Sequence, residues 1–514
     1  MNNLKKLPIG IQTFSEIREK EYIYIDKTQE AYNLIDNYKY AFLSRPRRFG
    51  KSLFLSTIKE IFEGNQTLFE GLDIYNKWDW EDKYPVIKID FSGDLRSSKN
   101  LENRIHDILI SNQKNLKVEC EKIEAYDSCF EELIKKTYQK YNKPVVVLID
   151  EYDKAILDNL DQIEIANANR ETLRAFYSIL KGCDKYIRFV LLTGVSKFSR
   201  ASIFSGLNML EDISLTPKFG NICGYTQNNI ETIFKPYLQG VDLEKLKSWY
   251  NGYNFLKDKV YNPFNILLFI KNENRFNNYW FKTGTPNFLI QLLKEGKYNL
   301  AEFEDIEVGE ELLDSFDLEN LSLETVMFQS GYLTIKEIEE FGDNCIYHLH
   351  YPNLEVKKSF NDYILTNYFI QKGKKTKVQI ALYKLMAKSD LEGLKDTLIS
   401  LFASIAYNNF SKNYIKNYEG FYASVIYAYF VGAGFENVIS EDITNHGRID
   451  LSIFIGNKIY IFEFKVDTKG ALEQIKEKNY YQKYLSSYNE IYIVGIEFDS
   501  VLRNIVGYNW KRVK

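Results

Sequence analysis

Two groups of residues have types and spacing suited to chemistry on phosphates. The first lies in GRIDLSIFIGNKIYIFEFK, Gly447 to Lys465. Leu451 to Ile455 and Lys458 to Phe464 are rich in Ile, Phe and Tyr, and Gly456-Asn457 between them is a two-residue hairpin signal. With that turn, Ile455 faces Lys458, and counting outward sets Asp450 opposite Glu463, about 5 Å away on one sheet face. Lys465, two residues on, joins the same face. Opposed like charges destabilise a hairpin, so the pattern predicts an occupant between the carboxylates, and a divalent cation suits the gap. Phosphodiester hydrolysis needs a nucleophilic water and a stabilised leaving oxygen, and Mg²⁺ serves both. It keeps several waters, so two or three carboxylates suffice. The plainer alternative is a surface hairpin with Glu463 paired to Lys465 or Arg448.

The second group opens in YKYAFLSRPRRFGKSLFLSTIKEIF. A short apolar strand, Tyr40 to Leu43, leads through a polar loop to Gly50-Lys51-Ser52 and an amphipathic helix, the setting of a phosphate-binding loop. Backbone N–H groups and the helix dipole favour an anion there. Lys51 is expected to reach the β/γ-phosphates of ATP and Ser52 to bind Mg²⁺. Arg47 and Arg48 add cationic contacts or are solvated loop charges. Arg45 stands where GxxxxGK[ST] has its first Gly, and Pro46 biases it towards extended backbone, so the start of the loop differs from the standard form.

A partner motif follows in KPVVVLIDEYDKAI. Val145 to Ile149 suits a buried parallel strand, and it ends in Asp150-Glu151. Asp150 is expected to hold Mg²⁺ through water and Glu151 to orient the attacking water. YPVIKIDFS (Tyr84 to Ser92) and YIRFVLLTGVSKFS (Tyr186 to Ser199) fit the same sheet. The latter places Thr193 at a strand end and Lys197 beyond it, as candidate γ-phosphate sensors. Ligands bind outside the carboxyl ends of such strands.

These segments, with WYNGYNF, VYNPFNIL and YWFKTGTPNFLI, resemble the AAA-ATPase-like family of bacterial proteins. GRIDLSIF, IYIFEFKVD and ALEQIKEKNYYQKY resemble the PD-(D/E)XK nuclease-like domain fused to its C-terminus. The resemblance implies a P-loop NTPase fold followed by a restriction-endonuclease-like α/β/α fold. It implies that Asp450 and Glu463 hold Mg²⁺ and that Lys465 stabilises charge or positions water. A Glu from a preceding helix often joins such a site, with Glu419 the candidate, and Gln474 is a weaker one. The Arg45 departure is a trait of the resembled family.

The elements that position these groups need several domains, because 514 residues exceed one ordinary core. At 45% hydrophobic and 26% charged residues the composition is ordinary for a soluble globular protein, and the α/β fold class is what the resemblance implies. The net charge of −4 excludes a global polybasic character, so nucleic-acid contacts must be local. Between 411 and 514, thirteen Lys/Arg nearly balance twelve Asp/Glu. Lys469, Lys476, Lys478 and Lys483 form the candidate basic face. Five scattered cysteines without C-x-x-C argue against a disulfide framework or thiolate zinc site and fit a reducing cytoplasm. No signal peptide is visible, and the apolar run Phe421 to Phe435 is too short to span a bilayer.

The expected divisions are a P-loop domain (1–224), a helical lid or junction (225–290), a winged-helix-like module (291–370), a helical connector (371–410) and a nuclease-like domain (411–514). The module rests on helix, strand, turn and strand over Leu318 to Phe360. His348 and His350 share a strand face but lack a third metal ligand. The expected function is ATP binding (cofactors ATP and Mg²⁺) that controls a Mg²⁺-dependent nuclease. Its expected partner is nucleic acid, DNA ahead of RNA, with no membrane and with a homo-oligomer as an alternative state. Rival expectations are a nucleotide-switched interaction protein that binds without cutting, and an autonomous nuclease carrying a degenerate NTPase.

Overall fold

The structure, a computed structural model, describes residues 4–122, 125–197, 203, 207–280, 289, 300–314, 318, 321–342, 344–366, 375–405, 419–435 and 437–514. The chain forms two compact units, Met1–Leu289 with Glu307–His348, and Ile290–Ile306 with Leu349–Lys514.

The first unit is built on a parallel sheet of β1 (Tyr40–Ser44), β2 (Val86–Asp90), β3 (Val145–Asp150), β4 (Ile187–Gly194) and β5 (Glu211–Asp212), in the order β2-β3-β4-β1-β5. Every residue of β3 is buried, as expected of a strand with both faces covered. The four strands expected to share a sheet do so. β4 lies between β1 and β3, so the Gly50-Lys51-Ser52 loop and Asp150 emerge from strands one apart at the same sheet end. The helices Ser98–Leu116, Tyr126–Tyr141 and Ile163–Gly182 pack together beside this sheet.

Residues 225–280 hold short helices and a two-stranded sheet of β6 (Tyr225–Thr226) and β7 (Val260–Tyr261). Their core of Ile230, Phe234, Leu246, Tyr250, Ile266 and Phe269 also takes in Ile23 and Ile25. That shared burial ties residues 225–280 into the same compact unit as the P-loop sheet. The helix Leu323–Ser330 is followed by β9 (Thr334–Phe341) and β10 (Asn344–His350), the expected helix, strand, turn and strand. β8 (Ile306–Gly309) completes the sheet in the order β8-β10-β9. The span 291–370 is divided between the two units. His348 Nε2 lies 3.4 Å from Glu339 Oε1. Of the connector, Lys375–Lys388 and Leu391–Ala403 are helical, and 371–374 and 406–410 lie outside the described residues.

The second unit carries a mixed sheet of β11 (Asn437–Thr444), β12 (Gly447–Ile455), β13 (Lys458–Val466), β14 (Glu490–Asp499) and β15 (Asn504–Arg512), paired in that order. β13 and β14 run parallel and the other pairs antiparallel. The helix Glu419–Ala433 covers one face through Phe430 on Phe462 and Tyr422 on Phe498. The helix Ala471–Glu477 covers the other, with Leu472 and Ile475 against Ile459, Ile461, Ile491 and Ile493. The run Phe421 to Phe435 is thus largely a core helix. Among the described residues no helix is long and apolar enough to cross a membrane.

One expectation is corrected. Cys120, in the segment after the helix Ser98–Leu116, forms a disulfide with Cys129 in the helix Tyr126–Tyr141. Scattered numbering without C-x-x-C concealed this approach, in which the Cα atoms lie 5.3 Å apart, within disulfide reach.

Candidate functional site

The phosphate loop leaves β1 through Arg45, whose guanidinium is only 1% exposed. It donates to the carbonyls of Ser44 (2.8 Å), Ser214 (2.7 Å) and Phe219 (3.1 Å) and lies 3.9 Å over the Phe255 ring. Burial lowers its pKa to about 10. Arg45 therefore braces the loop from behind and takes no part in the cavity wall. Arg48 (φ 72°) and Gly50 (φ 97°) supply the left-handed backbone that curls the loop onto the helix Lys51–Phe62.

A cavity of about 300 Å³ opens at this point, lined by Arg47, Arg48, Gly50, Lys51, Ser52, Asp150 and Glu151. These seven residues, singled out from sequence, are brought together. Lys51 is buried and donates to the carbonyls of Arg45 (2.8 Å) and Pro46 (3.2 Å). Burial depresses its pKa, against the pull of Asp150 and Asp153. Asp150 accepts from Thr193 Oγ1 (2.7 Å) and from the Glu151 N–H (3.0 Å). Glu151 sits at φ 53°, and burial, then Asp150, raises its pKa.

The two candidate sensors are placed elsewhere. Thr193 is fully buried behind Asp150, which it orients. Lys197 pairs with Asp212 at 2.6 Å and gives its N–H to Gln329. Neither lines the cavity, because the chain turns after Gly194 and presents Gly194 and Val195 instead. Sequence reasoning missed Asp153, a buried cavity carboxylate that accepts from the Val195 and Ser196 N–H groups and Ser196 Oγ. It also missed the wall formed by Pro8, Ile11, Gln12, Tyr225, Phe264 and Leu267. The signal available was VYNPFNIL, where Asn262 caps a helix and donates to the Arg47 carbonyl (3.3 Å).

In the second unit the hairpin forms with Ile455 opposite Lys458, as counted. The ladder runs to Leu451 and Phe462 and stops one residue short of Asp450. There the Asp450 carboxylate accepts the Phe464 N–H at 2.7 Å, which fixes its direction. Glu463 is 1% exposed, with Lys465 Nζ 3.6 Å from Oε1 and the Gln474 amide donating to the same oxygen. Gln474, the weaker candidate, thus touches the site. Arg448 pairs with Glu441 (3.5 Å) rather than with Glu463. Of the candidate basic face, Lys483 is held by Asp442 at 2.6 Å. Glu419 begins its helix, and its side chain lies outside the described residues. Among the described residues no three His, Cys, Asp or Glu side chains converge to hold a metal.

Tyr480 was missed. Burial raises its pKa, Gln474 opposes the rise, and the charges of Glu463 and Asp450 add to it. Gly447 (φ 138°) admits it, since a Cβ there would lie 3.0 Å from the hydroxyl. Gly447→Ala is expected to displace Tyr480 and cost about 1 kcal/mol of stability, with a larger loss in site activity. Parallel melting and cleavage assays on the variant check this, and unchanged cleavage would place Tyr480 outside the site.

Comparison with known proteins matches this division. A family profile described as "Predicted AAA-ATPase" matches residues 8–204, and one for the PD-(D/E)XK nuclease superfamily matches 417–508. The chain is 44% identical over 510 residues to an uncharacterized protein in the vnfD 5' region of Azotobacter chroococcum mcd 1, covering 98% of both. The chain belongs to the AAA-ATPase-like family, with a PD-(D/E)XK nuclease superfamily domain at its C-terminal end. No solved structure matches it. In this AAA-ATPase-like chain the first profile begins at Pro8, the first residue of the cavity wall, and takes in Lys51 and Asp150. The second takes in Asp450, Glu463, Lys465 and Gln474.

Proposed function

We propose that the P-loop unit binds ATP with Mg²⁺ and thereby controls a Mg²⁺-dependent nuclease centred on Asp450, Glu463 and Lys465. The nuclease acts on nucleic acid, DNA ahead of RNA, in a bacterial cytoplasm. One observation carries this reading. Glu463 is a carboxylate withdrawn almost wholly from water, which is costly without a compensating charge. Lys465 lies beside it, and continuing the register by one residue would set Asp450 opposite. Two oxygen donors of this kind suit Mg²⁺, which keeps the rest of its shell as water.

In that reading Asp450 and Glu463 would hold the ion. Bound Mg²⁺ supplies an activated water and neutralises the leaving oxygen. Gln474 orients the Glu463 carboxylate, and Lys465 offers its ammonium to the charge that develops on phosphate. In the P-loop unit, Lys51 exchanges its two loop carbonyls for phosphate oxygens. Ser52 and Asp150 would hold the nucleotide's Mg²⁺, and Glu151 orients the attacking water. Glu151 acts in its ionised form, and its raised pKa moves the acid-side loss of ATP turnover above the pH of an ordinary glutamate. Glu151→Gln is expected to keep ATP binding and abolish turnover, as a phosphate-release assay across pH would read. Turnover surviving in that variant would remove Glu151 from the role.

A second reading, binding without cutting, is favoured by Lys465, whose ammonium 3.6 Å from Glu463 Oε1 compensates the buried charge without a metal. Full-length protein incubated with labelled single- and double-stranded DNA and RNA in Mg²⁺ decides between them. Cleavage abolished by Glu463→Ala supports the nuclease, and binding without cleavage of any substrate overturns it.

A further inference from the structure

The two hairpin tips beside Asp450 and Glu463 carry the most exposed large apolar side chains of the described residues. Val501 is 79% exposed, Ile443 72% and Leu502 68%. Single exposed apolar residues are ordinary, but these three share one end of one sheet. β12 runs antiparallel to β13, and β13 parallel to β14. The β11–β12 turn, the last residues of β13 and the β14–β15 turn therefore meet at the carboxylate end. The Gly456-Asn457 turn lies at the other.

Both tips are held in shape. Asp499 Oδ1 accepts from the N–H groups of Val501 (2.8 Å) and Leu502 (2.7 Å), and Ser500 N–H donates to Asp467 Oδ1 (2.8 Å). Opposite, Thr444 Oγ1 donates to the Gly447 carbonyl (2.8 Å), and Lys483 Nζ donates to that of Ile443 (3.0 Å). Gly447 fits closely under Tyr480, which packs against this tip. Three apolar side chains are thus fixed in water at the mouth of the proposed clamp.

The chemistry of the tips selects their partner. Neither Ile443–Arg448 nor Asp499–Arg503 contains Phe, Tyr or Trp, and His446 is the one ring in either tip, so neither tip offers successive rings as a stacking platform for single strands. The near balance of charge over 411–514 leaves little counterion-release affinity. Aliphatic wedges that part a base step are the means of gripping a duplex that these tips themselves offer. Arg448, paired in register with Ile443, sets a cation beside one wedge. We infer that the two tips are apolar prongs that grip duplex nucleic acid, Ile443 wedging one base step and Val501 with Leu502 another a few base pairs away, and opening the stack beside the clamp. The inference rests on the nuclease reading for its setting.

The test compares full-length wild type with the triple variant Ile443→Ser, Val501→Ser, Leu502→Ser, at exposed positions where a melting curve confirms the fold. Short DNA duplexes carrying 2-aminopurine at successive positions report unstacking by fluorescence, and anisotropy reports binding to duplex and single strand. The wild type is expected to brighten one set of positions. The variant is expected to lose the brightening and bind duplex about tenfold more weakly or worse, with single-strand binding unchanged. Equal duplex binding and brightening in both proteins would overturn the inference, as would wild type that binds no duplex. A changed sedimentation state with duplex binding intact would also overturn it, by making the prongs an interface between copies. Duplex binding lost in the variant, in a wild type that never cuts, would keep the prongs and sink the nuclease. Full cleavage by the variant would do the reverse.

Discussion

Glu463→Ala and Lys465→Ala are each expected to lower nucleic-acid cleavage by roughly a hundredfold or more, while ATP affinity stays at the wild-type value. Glu463 loses a proposed metal ligand, and Lys465 loses a positive charge placed 3.6 Å from that ligand. ATP affinity is spared because Lys51 and Asp150 belong to the other compact unit. Removing a buried side chain also leaves a cavity, so Glu463→Gln is the sharper variant, with the shape kept and the charge removed. Cleavage by Glu463→Gln at the wild-type rate would remove the carboxylate from the chemistry. A fall in cleavage matched by a fall in melting temperature would reduce its role to packing.

Lys51→Ala is expected to weaken ATP binding roughly ten- to hundredfold, the range of a lost hydrogen bond to a charged group. In the structure the ammonium is buried and its hydrogen bonds go to two neutral carbonyls. Phosphate oxygens are the stronger partners, so the nucleotide gains what the loop gives up. The loop itself is expected to survive the substitution, because Arg45 anchors it to the carbonyls of Ser214 and Phe219. Calorimetry on wild type and variant reads the difference. Equal affinities would mean that ATP binds outside this cavity, and no affinity in either would favour the degenerate NTPase.

Local patterning made the hairpin and the P-loop legible. Gly456-Asn457 fixed the register from Ile455 and Lys458 outward, and four apolar runs named four strands of the parallel sheet. The limits were set by contacts between distant segments. Nothing near Thr193 or Lys197 indicates that one orients Asp150 and the other pairs with Asp212, since both partners come from other strands. Arg45 looks like a damaged P-loop until its carbonyl partners at 214 and 219 are known. Asp153 lies within the quoted DEYD but acts on the backbone of 195–196, which only folding brings near. Gln474 reaches Glu463 because the helix Ala471–Glu477 packs across β13 and β14, a tertiary fact without a local signature.

Whether the P-loop controls the clamp is the central claim, and one comparison tests it most directly. Cleavage rates in Mg²⁺ are measured with and without ATP, for wild type and for Lys51→Ala. ATP controls cutting only if it binds two states of the protein with different affinity. The account predicts that ATP changes the wild-type rate and leaves the Lys51→Ala rate fixed, either silent or constitutive according to the state ATP favours. Identical cleavage in all four conditions would contradict it.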